Sequence, residues 1–136
     1  MLNRLWLPVV LALFVLGCAE PPPYTNVDNA GLRSLIGQGV PVVDIRRADE
    51  WRQTGTLDGS ERLTFVDANG RVIPGFLERF TERFDKNEPV VLICRTGNRT
   101  DVLARHLVNS LGYSRVYNVR DGITEWIRQG NPVKRG

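Results

Sequence analysis

Residues 90–100 hold the arrangement richest in chemistry: an apolar run, a cysteine, a short loop with one glycine and two arginines, and the start of a helix. The loop reads Cys94-Arg95-Thr96-Gly97-Asn98-Arg99-Thr100. A loop that opens into a helix points several backbone N–H groups inward. Together with the positive end of the helix dipole they form an anion nest. A cysteine at the mouth of such a nest is favoured as the thiolate. Gly97 allows close backbone approach or positive φ. Arg95 and Arg99 add positive charge that deprotonation cannot remove, and Thr100 offers a hydroxyl near the first helical turn. A thiolate held this way can attack a sulfur donor and keep the transferred atom as a persulfide. The terminal persulfide sulfur is itself anionic, and a second nucleophile can remove it in a covalent, ping-pong scheme.

The elements around this loop must present it. Residues 90–93 form a continuous apolar run after Glu88-Pro89, the pattern of a central strand. The helix after the loop begins at Asn98 or Arg99, with Leu103, Leu107 and Leu111 recurring every four residues and Gly112 as its stop. Strands are expected over 40–45, 62–65 and 116–119, and a single helical turn over 48–52. Helices are expected over 29–36, 74–84 (Pro74 in its first turn, Phe76, Leu77, Phe80 and Phe84 on one stripe) and 122–128. Residues 54–59 and 67–71 read as turns. Helices alternating with fully apolar strands indicate an α/β domain around a mostly parallel sheet. Ligands of such sheets bind at the carboxyl ends of the strands, where Cys94 falls.

Cys94-Arg95-Thr96-Gly97-Asn98-Arg99-Thr100 resembles the active-site loop of rhodanese-family sulfurtransferases, C-R-x-G-x-R followed by Ser or Thr. Val42-Val43-Asp44-Ile45-Arg46, with Glu50-Trp51 after it, is similar to that family's first signature. Asp121-Gly122-Ile123-Thr124-Glu125-Trp126 is similar to its closing signature. The three follow the family's order. The resemblance implies a three-layer domain with a five-stranded sheet flanked by helices. It implies Cys94 as the sulfur-carrying nucleophile and Arg95 as the group that orients an anionic donor such as thiosulfate. Thr96, Gly97, Asn98 and Arg99 would form the cradle, with Thr100 beside it, and Asp44 and Arg46 would brace the loop from the neighbouring strand. The acceptor could be a thiol, cyanide or a protein. No cofactor and no metal are implied. Trp51 and Trp126 read as core or rim residues. Two departures stand out: Thr56 occupies the place of the family's usual His, and residues 66–74 are longer than in minimal single-domain members.

The first residues read differently. Arg4 precedes a 12-residue apolar run, residues 5–16, whereas a helix spanning a bilayer needs about 20. The run ends in Val15-Leu16-Gly17-Cys18, which resembles the lipobox of bacterial lipoproteins. The expected organisation is a signal peptide over 1–17, a lipidated Cys18 with a Pro-rich tether over 18–25, and the domain over 26–134. Ala19 after the cysteine implies a periplasm-facing anchor in the outer membrane rather than the inner one. With Cys18 lipidated, Cys94 is an unpaired thiol in an oxidising compartment, which itself points to reactivity.

Other functions fit less well. His106 sits within the helix after the loop, about three turns on, so it is poorly placed as a general base. One histidine and two cysteines argue against a zinc site. The net charge of +3 is interspersed along the chain, with no basic stripe for nucleic acid. Phosphatases and arsenate reductases with this fold place an arginine six residues after the cysteine. Arg99 is five after Cys94, giving a smaller loop that suits one sulfur atom better than a phosphate. A non-catalytic binding module and a mixed-disulfide redox protein remain as alternatives, the latter requiring a second thiol.

Overall fold

The computed structural model describes residue 17 and residues 19–136. The signal segment and the lipidation residue Cys18 expected from sequence lie outside the described residues. Among the described residues no helix is long and apolar enough to cross a membrane.

Among the described residues five strands and five helices alternate: β1 Thr25–Val27, α1 Asn29–Gly37, β2 Val42–Asp44, α2 Ala48–Thr54, β3 Glu61–Arg62, α3 Phe76–Arg83, β4 Val90–Ile93, α4 Asn98–Asn109, β5 Val116–Val119 and α5 Gly122–Arg128. The sheet order is β1-β5-β4-β2-β3, and every neighbouring pair is parallel. β4 is central, and all four of its residues are buried. That explains its unbroken apolar sequence, since both faces of a parallel sheet are covered by helices.

The two faces bury separate clusters. Val90, Leu92 and Cys94 share one cluster with Val43, Ile45, Phe76, Phe80, Leu103 and Leu107, beneath α3 and α4. Val91 and Ile93 face the other way, with Leu32, Leu57, Ile123 and Trp126 beneath α1 and α5. Cys94 therefore continues the two-residue alternation of β4, and its side chain is directed toward α4.

Several elements differ from the sequence expectation for identifiable reasons. β1 has no apolar pattern, because Thr25 and Asn26 are exposed on an edge strand; it forms by pairing Thr25 with Tyr117 and Val27 with Val119. Pro74 lies before α3. Gly75, at φ 78°, turns the chain so that Phe76 and Phe80 enter the core. The expected turn at 48–52 is a helix to Thr54. β3 covers only Glu61–Arg62, although Leu63 and Phe65 still donate N–H bonds to Asp44 and Ile45. α4 ends at Asn109, ahead of the expected stop at Gly112.

The departures at Thr56 and 66–74 have clear structural roles. Thr56 exchanges both backbone hydrogen bonds with Lys134, at 2.8 and 2.7 Å, and so ties the chain's end to the domain. Residues 66–72 fold back on themselves through a bridge between Val66 and Val72, with the Asp67 carboxylate accepting the N–H groups of Asn69 and Arg71. Ahead of β1, the Tyr24 hydroxyl donates to Asp101 in α4, and Arg105 lies over the Tyr24 ring.

Phe80 is fully buried and touches the rings of Phe76, Phe84 and Tyr113 at centroid distances of 5.9, 4.9 and 5.8 Å. Phe80→Ala should cost about 3–5 kcal/mol in urea unfolding. A loss under about 1 kcal/mol would show that this aromatic layer contributes little.

Candidate active site

Cys94 is a free thiol, 1 % exposed, at the carboxyl end of the central strand. The Gly97 N–H donates to its Sγ at 3.2 Å, and the Thr100 Oγ1 lies 3.3 Å from the same sulfur. Both groups come from the start of α4, which follows a left-handed Gly97 at φ 94°. The loop is one turn that bends its own amide back onto the sulfur. It brings together Cys94, Gly97 and Thr100, while Arg95, Thr96 and Asn98 line the exposed outer side.

The loop's shape is held from behind by the β5–α5 turn. Ile123 N–H donates to the Cys94 carbonyl at 2.9 Å, and Thr124 N–H to the Arg95 carbonyl at 3.1 Å. These are N–H groups of the first turn of α5, which have no partner within their own helix. The backbones pass so close that two glycines are obligatory. A Cβ on Gly97 would sit 2.0 Å from the Arg120 carbonyl oxygen, and one on Gly122 would sit 2.2 Å from the Arg95 carbonyl oxygen. Gly122 also has φ 67°. The closing signature is thus the back wall of the cysteine loop.

The front is held by charge. Arg99 does not add a free charge to the nest, as its sequence position suggests. Its Nη1 and Nη2 each donate to a Glu50 carboxylate oxygen at 2.7 Å, a two-pronged pair that joins α4 to α2. Glu50 is buried, and its Oε2 also accepts the Arg47 N–H at 3.1 Å, capping α2. Burial by itself pushes the Glu50 carboxyl up. The Arg99 hydrogen bond, the Arg47 N–H and the charges of both arginines outweigh it and hold the carboxyl at about 2. In return, hydrogen bonding to Glu50 holds Arg99 more firmly protonated, against the effect of its own burial, with the Cys94 and Asp44 charges acting in the same sense. Sequence reading places Glu50 only within an acidic-aromatic pair. The signal for its role is its position three residues after the helix cap, with its side chain free to reach back.

Asp44 and Arg46 are both fully buried and paired at 2.8 Å. Arg46 also donates to Thr54 Oγ1 at 2.8 Å and to the Gly55 carbonyl at 3.0 Å. The pair therefore anchors α2 to β2, and α2 in turn presents Glu50 to Arg99. Its effect on the loop passes through α2. Trp126 is buried, with its indole N–H donating to the Pro132 carbonyl, and Trp51 is half-buried with Arg62 over its ring. His106 is exposed on α4, beside Val72 and Val102 in a groove of its own.

Residues 28–129 match the family described as "Rhodanese-like domain". The chain belongs to that family. A protein of Rickettsia prowazekii (strain Madrid E), "Uncharacterized protein RP600", is 30% identical over 106 residues, covering 75% of this chain and 80% of that protein. "Thiosulfate sulfurtransferase GlpE" of Glaesserella parasuis serovar 5 is 34% identical over 58 residues, 43% of this chain and 53% of its own length. The chain thus spans about half of that sulfurtransferase. A rhodanese-related protein from Thermoplasma volcanium superposes with a TM-score of 0.64 at 25% identity, over 83% of this chain and 100% of that one. In this rhodanese-like domain the three sequence signatures converge. The first supplies the Asp44–Arg46 anchor and Glu50, the second the cysteine loop, and the third the wall behind it.

The Glu50 pair has a pH signature. Its carboxyl sits at about 2 when folded against an ordinary 4.5, so the folded state binds the proton less readily. Its stabilisation is complete above 4.5 and is lost as pH falls from 4.5 toward 2. Urea unfolding of the wild type and Glu50→Gln should therefore differ by on the order of 2 kcal/mol at neutral pH, allowing for screening, and converge at the acid end. A difference that stays constant through that window would contradict the ion pair.

Proposed function

We propose that the protein is a sulfurtransferase that carries sulfane sulfur on Cys94. The supporting observation is the pair of polar groups on one sulfur, the Gly97 N–H donating at 3.2 Å and the Thr100 Oγ1 at 3.3 Å. A sulfur anion at this position is stabilised by an amide that cannot rotate away, at the positive end of α4. Sequence relatives that include a thiosulfate sulfurtransferase support the same reading.

The chemistry proceeds in two displacements. The Cys94 thiolate attacks the outer sulfur of a donor such as thiosulfate. The new bond joins Sγ to that sulfur, the donor's own S–S bond breaks, and its electron pair leaves on sulfite. A thiol, cyanide or protein nucleophile then attacks the outer persulfide sulfur, and the Sγ–S bond returns its pair to Cys94. No net oxidation occurs across the cycle, and no cofactor is required. Arg95, exposed at the loop mouth, is the cation that meets the incoming anion. Thr96 and Asn98 flank that approach.

We further propose that the protein is lipid-anchored through Cys18 in a bacterial envelope, facing the periplasm and held in the outer membrane. The Val15-Leu16-Gly17-Cys18 sequence and the Pro-rich residues 20–24 support this. Cys18→Ser should move the protein from the membrane fraction to the soluble one. Full retention in membranes would overturn the anchor.

The domain from Glu20 onward, incubated with thiosulfate and digested, should gain one sulfur atom on the Cys94 peptide. Cyanide should then remove that atom and release thiocyanate. Cys94→Ser should show neither event while unfolding like the wild type. A reduced Cys94 that gains no sulfur from any sulfane donor would overturn the assignment.

A further inference from the structure

We propose that Glu50 sets donor specificity by withholding Arg99 from the incoming anion, so that the site favours a singly charged sulfane donor, an organic persulfide or thiosulfonate, over a doubly charged one such as thiosulfate. The inference rests on the sulfurtransferase reading and narrows its substrate class.

Most cations around the cysteine loop are already committed to carboxylates. Arg46 is committed to Asp44. Arg47 faces Asp49 at 3.1 Å and Glu50 at 3.7 Å. Arg99 is committed through both terminal nitrogens to Glu50. Among the described residues, Arg95 is the loop cation that makes no ion pair. With the inward amide already bonded to Sγ, the one free cation matches a single negative charge on the donor. A second charge on the donor would find no second unpaired guanidinium in the loop to meet it.

Arg99 directly precedes Thr100, whose Oγ1 lies 3.3 Å from Sγ, so a released Arg99 starts from the same helical turn that lines the sulfur. Glu50 is buried, and its second oxygen is already fixed by the Arg47 N–H, so the carboxylate cannot swing aside to admit an anion. Glu50 is thus a positioning residue acting through Arg99, and the selectivity it imposes is one of charge. A free guanidinium donates a two-pronged, charge-assisted contact to a tetrahedral oxyanion.

The test compares thiosulfate, a dianion, with methanethiosulfonate, a monoanion, as donors to the wild type, Glu50→Gln and the double variant Glu50→Gln/Arg99→Gln. Sulfate protection of Cys94 against iodoacetamide is measured alongside. In Glu50→Gln the ratio of kcat/KM for thiosulfate to that for methanethiosulfonate should rise roughly tenfold, the size of one added charge-assisted contact. Sulfate should protect Cys94 at correspondingly lower concentration. Both gains should vanish in the double variant, whose ratio should return to that of the wild type. An unchanged ratio in folded Glu50→Gln, or a gain that survives loss of Arg99, overturns the proposal. Should Glu50→Gln fail to fold, the double variant decides alone: a ratio roughly tenfold below the wild type would mean that Arg99 already serves the dianion, and would overturn it. If the wild type turns over neither donor, the sulfurtransferase reading fails, and sulfate protection still decides whether Glu50 withholds Arg99.

Discussion

The site depends first on one close backbone crossing. The cysteine loop and the β5–α5 turn lie so near one another that neither Gly97 nor Gly122 can carry a side chain. That proximity lets the first N–H groups of α5 bond the carbonyls of Cys94 and Arg95. With those carbonyls held by α5, the Gly97 amide points toward the sulfur. The nest is thus a consequence of satisfying buried backbone groups.

The second layer of control is ionic. Four charged side chains, Asp44, Arg46, Glu50 and Arg99, form a chain from β2 through α2 to α4. Buried charges are tolerated only when paired and hydrogen-bonded, and removing one partner leaves an uncompensated charge that costs several kcal/mol. The chain therefore specifies how α2 sits against the loop. It also subtracts positive charge from the site. Arg46 and Arg99 are committed to carboxylates, which leaves an amide, a hydroxyl, a helix end and the exposed Arg95 around the sulfur.

Much of the frame was readable in the residues. β4 and β5 occupy the expected spans because continuous apolar runs between turns have few alternatives, and α5 does too, bounded by Gly122 and Gly130. β1 was not readable, because a short edge strand with exposed Thr25 and Asn26 carries no hydrophobic signal and exists only through its pairing with β5. α3 begins with its aromatic stripe at Phe76 and not at Pro74, because Gly75 re-aims the chain after Pro74. The Arg99–Glu50 pair was not readable for a similar reason: the two residues are 49 apart in sequence.

The sequence by itself determined the cysteine at the end of the central strand, the loop around it and the α/β frame. These follow from local signals: an apolar strand, a cysteine, a glycine and a capable helix start. Tertiary structure alone decided where the charges go. An arginine looks the same in sequence whether it meets a substrate or a carboxylate from another helix. Only the packing of α2 against α4 commits Arg99 to Glu50 and leaves Arg95 facing the solvent.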